Sequence, residues 1–121
     1  MFREVLQDIS DRTEGCLGSL IMGTDGIAVE KVWKPNVTEF QLDIAVAEYA
    51  SLLRNVRRTN NEFGFGKLHE FTLSGENGIF ILRFVSEDYF VAMVLSPEGN
   101  FGRGRFELSR AALLLEKELA I

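Results

Sequence analysis

Residues 37–58, VTEFQLDIAVAEYASLLRNVRR, form the longest uninterrupted helical pattern in the chain. Thr38 is placed to cap the first turn, with Gln41 three residues on returning the bond. Glu39 and Asp43 lie near the start and Arg54, Arg57 and Arg58 near the end, an order that suits the helix dipole. Asn60, Asn61, Gly64 and Gly66 then stop the pattern. The segment carries two apolar stripes where a surface helix needs one. Phe40, Ile44, Ala47 and Ser51 make the first, and Leu42, Val46, Tyr49, Leu53 and Val56 the second. One stripe is expected to cover the core and the other to meet a subunit or partner, and the sequence alone leaves open which is which.

Outward from this helix, the chain alternates short apolar segments with turn residues. Phe2, Val5, Leu6 and Ile9 predict a helix over residues 2–12. Residues 16–22 and 27–33 read as strands joined by the GTDG turn at 23–26. After the long helix, strands are expected at 67–74, 79–85 and 89–95, separated by turns at 75–78 and 86–88. IFILRFV and YFVAMVL are apolar on both faces, so both sides of the sheet must be covered. Residues 97–104 read as a glycine-bearing loop, followed by a final helix from about residue 105 with Leu108, Ala111, Ala112, Leu115 and Leu119 inward. The turns are too short for parallel crossovers. The expected fold is therefore α+β, in the order αββαβββα. Its five-stranded antiparallel sheet has the long helix on one face and the two terminal helices on the other.

The 121 residues suit one domain, 1–121. A formal charge of −5 disfavours nonspecific nucleic-acid binding, no run is long enough for a membrane span, and the first residues do not read as a signal peptide, so a cytoplasmic location is expected. Cys16 is the only cysteine and His69 the only histidine, which argues against a disulfide or a structural zinc site. Cys16 reads as a buried, inert thiol. No cofactor and no catalytic residue is expected. His69 and Glu70 point to opposite faces of a strand, and the glycine pairs lack a phosphate-loop context. Arg103 is the one mild candidate for an arginine finger.

If the strand at 67–74 lies at the sheet edge, pairing with its copy across a two-fold axis would protect it and bring the long helices together. The candidate dimer or partner interface is therefore Phe40, Ile44, Ala47, Ser51 and Arg54 on the helix with Leu68, Glu70 and Thr72 on the strand.

GCLGSLIMGTDGIAVEK at 15–31, LLRNVRR at the end of the long helix, the segment at 67–96 and ELSRAALLLEKEL near the C-terminus resemble the roadblock/dynein light chain superfamily, within it the bacterial MglB-like branch. The resemblance implies a roadblock/longin-like fold and a homodimer joined through the long helices and adjacent edge strands. It further implies binding of a small Ras-like GTPase. In that branch hydrolysis is stimulated by repositioning the GTPase's own residues, so no arginine finger is needed. A light-chain-like scaffold subunit without nucleotide preference is the competing reading, and ligand sensing in a profilin-like cavity a third.

Overall fold

The computed structural model describes residues 1–119, the side chains of residues 39 and 40 excepted. The order is α1 (Phe2–Arg12), β1 (Cys16–Gly23), β2 (Ala28–Trp33), α2 (Glu39–Glu62), β3 (Glu70–Gly75), β4 (Gly78–Phe84), β5 (Tyr89–Leu95) and α3 (Phe101–Leu119). The five strands form one sheet in the order β2-β1-β5-β4-β3, antiparallel throughout.

Alternation along the central strands divides the core in two. Phe80, Leu82, Phe90, Ala92 and Val94 face α2, where Val46, Ala50 and Leu53 meet them. Ile81, Val91, Met93 and Leu95 face the other way, under Leu6 and Ile9 of α1 and Leu108, Ala111 and Leu115 of α3. The doubly apolar strands are thus explained by two helical layers. The stripe Leu42, Val46, Tyr49 and Leu53 is the one that covers the core, which answers the question the sequence left open.

Two glycines sit at close approaches. Gly18 of β1 lies beneath the Trp33 indole, so that a Cβ there would sit 2.0 Å from Trp33 Cε3. Gly104 is where α3 comes close to the sheet, since a Cβ there would sit 3.3 Å from Met93 Sδ and 3.4 Å from Ile81 Cδ1 and Leu95 Cδ1.

Several boundaries differ from expectation. The long helix runs to Glu62 and closes in a Schellman turn, with Phe65 N–H donating to Asn60 O, Gly64 N–H to Asn61 O, and Gly64 at φ +76°. Its arginines therefore sit before the last turn, and no basic residue lies in that turn. Thr38 is at the N-cap position but makes no side-chain capping bond, so the Thr38–Gln41 box does not form. β3 begins at Glu70 rather than residue 67. α3 begins at Phe101: Asn100 Oδ1 accepts the Arg103 N–H at 3.0 Å, a cap strong enough to carry Gly102 and Gly104 into the helix.

Candidate functional site

The outer surface of α2 and the edge beside it form the candidate site, and the two flanks of the helix face different neighbours. Asp43 pairs with Lys31 of β2 at 2.6 Å, and Arg54 donates to Thr24 O in the β1–β2 turn. This flank, with Ala47 between them, leans toward β2. On the other side Tyr49 stacks obliquely on Phe80 of β4, ring centroids 4.9 Å apart. By helical spacing Ala45, Leu52 and Val56 share that second flank, which leans toward β3. Ile44 (50% exposed) and Ser51 point away from the sheet between the flanks, and Leu52 (45% exposed) overhangs the β3 side.

The expected interface residues are therefore not brought together as one surface. Ile44, Ala47, Ser51 and Arg54 form an exposed band on the outer and β2-ward side of α2. Phe40 lies outside the described side chains. Leu68 packs beneath α2 against the core on the far side of that helix. Glu70 is on the opposite face of the sheet, where Arg105 of α3 holds it with bonds of 2.9 and 3.1 Å, and Thr72 is on that face as well, paired across from Ile81. Leu52 was legible only as one more apolar residue of the helix, since its flank is set by where the sheet lies.

The two sheet edges are unlike. On β2, Arg3 Nη1 donates to Lys31 O and Glu30 Oε1 accepts the Lys31 N–H, so the chain's own side chains occupy the backbone groups of Lys31 at mid-strand. β3 has β4 as its one strand neighbour and carries Phe71, Thr72 and Leu73 at its centre. An edge of that composition is open to pairing.

The basic residues do structural work. Arg57 donates to Glu87 O at 2.7 Å and lies over the Phe84 ring, which ties α2 to the β4–β5 turn, while Arg58 bonds Asn55. Arg103 is in the first turn of α3, ion-paired with buried Glu107 at 2.8 Å, so it is not a loop-borne finger. Cys16 is buried and bonded to Gly18 O, and burial pushes its thiol pKa up. His69 is exposed at the start of the edge segment, beside a groove lined by Arg57, Lys67 and Arg83 but equally by Glu87, Asp88 and Glu116, which gives it no charge preference. Among the described residues no group of three or more His, Cys, Asp or Glu is placed to hold a metal, and no helix is long and apolar enough to cross a membrane.

Three helices on an antiparallel five-stranded sheet in this order define the roadblock/longin class of α+β protein. The chain is similar to MglC from Myxococcus xanthus, with 36% identity, 98% of each chain covered and a TM-score of 0.70. A Roadblock/LC7 domain from Streptomyces avermitilis superposes with a TM-score of 0.84 at 12% identity, covering 98% of this chain and 97% of that one. The gliding protein MglB from Thermus thermophilus gives 0.82 at 19%, covering 95% and 85%, and these two low-identity likenesses bear on the fold alone. An uncharacterized protein of Methanocaldococcus jannaschii is 30% identical over 112 residues, 93% of this chain and 94% of its own. No family model matches the chain. The chain belongs to the roadblock/LC7 superfamily that includes MglB and MglC.

Proposed function

We propose that the chain works in the cytoplasm as a homodimer, one roadblock domain per protomer, that binds a small Ras-like GTPase and contributes no catalytic residue of its own. The observation that carries the dimer is the contrast between edges: on β2 the Lys31 backbone is taken by Arg3 and Glu30, whereas among the described residues no side chain bonds the outward backbone of β3, which lies under the flank of α2 that exposes Leu52. Pairing β3 with its symmetry mate would extend the sheet and bury Leu52 between two α2 helices. The band at Ile44, Ala47, Ser51 and Arg54 then stays open on the outside of the dimer and is the surface offered to the GTPase. Likeness to MglC, together with the resemblance carried by residues 15–31 and 67–96, supports the GTPase as partner. Any effect on hydrolysis would act through the GTPase's own residues, because Arg54, Arg57 and Arg103 are each held by their own chain.

The test is a pull-down with a Ras-like GTPase encoded beside this protein, loaded with GDP or a non-hydrolysable GTP analogue. Preferential capture of one form supports the regulator. Equal capture of both moves the assignment to a scaffold subunit, and no capture of either refutes the GTPase reading.

A further inference from the structure

The outer face of α3 is accounted for by neither the core nor the proposed dimer, since it lies on the opposite side of the sheet from α2. Phe106 and Leu113, seven residues apart, are 57% and 69% exposed, and Leu114 widens the apolar strip. Arg103, Arg110 and Lys117 interleave with them at spacings of three and four, so that cation, apolar, cation, apolar and cation follow one line along the helix. The guanidinium of Arg103 lies 5.5 Å from the Phe106 ring centroid. Arg103 and Arg110 are both anchored on Glu107, which is fully buried beneath them, and Arg110 also reaches Asp8 of α1 at 2.6 Å. The Arg103 and Arg110 side chains are partly exposed and the Glu107 carboxylate between them is not, while Asp8, on the α1 side of Arg110, is shared with Arg12. Glu116 and Glu118 flank this line at its C-terminal end.

A second copy of the chain fits this line poorly. Two such helices crossed antiparallel would set Arg110 against Arg110 and Arg103 against Lys117, and a parallel pair would set every cation against itself. We infer that the outer face of α3 docks an acidic amphipathic helix of another protein. Two apolar residues of that helix, seven apart, would seat on Phe106 and Leu113, and its carboxylates would face Arg103, Arg110 and Lys117. The inference stands independently of the GTPase assignment.

The probe is a labelled synthetic helical peptide with leucines seven apart and glutamates at the interleaved positions. Its control carries lysines in place of the glutamates. Fluorescence anisotropy with the full chain should show binding of the acidic peptide, weakening with added salt, and none of the lysine peptide. Phe106→Ser with Leu113→Ser, checked for native circular dichroism, should weaken binding by about tenfold or more. Lys117→Glu, which removes a cation without touching the Glu107 anchor, should weaken the acidic peptide and admit the lysine peptide. Failure of the acidic peptide to bind, or equal binding of both peptides, overturns the inference. So does a change in sedimentation of the serine variant, which would make the face a self-association surface. Loss in that variant of a wild-type interaction with phosphatidylserine vesicles would make it a membrane surface and overturn it likewise.

Discussion

Replacing Leu52 with aspartate separates the two flanks of α2. Full burial of a leucine contributes about 1.5–3 kcal/mol. Leu52 is 45% exposed in the protomer, so covering the remainder in a dimer is worth roughly 1 kcal/mol per copy by the same scale. Two-fold symmetry doubles this to about 2 kcal/mol, and two carboxylates desolvated opposite each other cost at least as much again. The dimer should weaken by roughly 4 kcal/mol, about a thousandfold in dissociation constant. Sedimentation velocity over a micromolar concentration series reads the effect directly. Ile44→Asp is the matched control, because Ile44 is as exposed as Leu52 but points outward between the flanks. It should remain dimeric and lose GTPase binding. A dimeric Leu52→Asp beside a dissociated Ile44→Asp would invert the assignment of flanks. If both remain dimeric, α2 is not at the interface at all.

Gly18→Ala should destabilise the protein by about 1–3 kcal/mol, because the new methyl meets the Trp33 ring at 2.0 Å and Val32 O at 2.6 Å. Trp33 is the only tryptophan, so its fluorescence reports the displacement, and Trp33→Leu should recover part of the loss in a double-mutant cycle; additive effects would mean that the two sites do not touch. Glu107→Gln removes the carboxylate that both Arg103 and Arg110 contact and should cost about 1–2 kcal/mol in urea unfolding. That is less than for a fully buried pair, because both arginines reach solvent, and an unchanged midpoint would count against the network. Arg12 and then Arg110 hold the Asp8 carboxyl below its ordinary pKa. A depressed carboxylate stabilises the fold above its unfolded pKa and ceases to do so as pH falls through the folded value, so Asp8→Asn should flatten stability between those two pH values and leave its slope near neutrality unchanged. An acid limb identical to wild type would refute the coupling.

Much of the fold was legible because it rests on local periodicity. The span of α1, the doubly apolar runs of β4 and β5, the turn at 23–26 and the αββαβββα order follow from spacing and turn chemistry, which depend on neighbours in sequence. The start of α3 differs from the sequence reading because Gly102 and Gly104 lower helix propensity, yet Asn100 caps the turn and Gly104 packs close to Met93. The arginines of α2 suited the helix dipole by position, but carbonyls at Thr24 and Glu87, far along the chain, determine what Arg54 and Arg57 do.

The sequence by itself determined that the long helix has more apolar surface than its own core can use, since that is a property of residue spacing. Which stripe is inward, and toward which sheet edge each remaining flank leans, was decided by the tertiary structure alone. A helix's azimuth is set by the strands beneath it: Lys31 draws Asp43 to the β2 side, Phe80 receives Tyr49 on the β4 side, and Leu52 is thereby left over the open edge of β3.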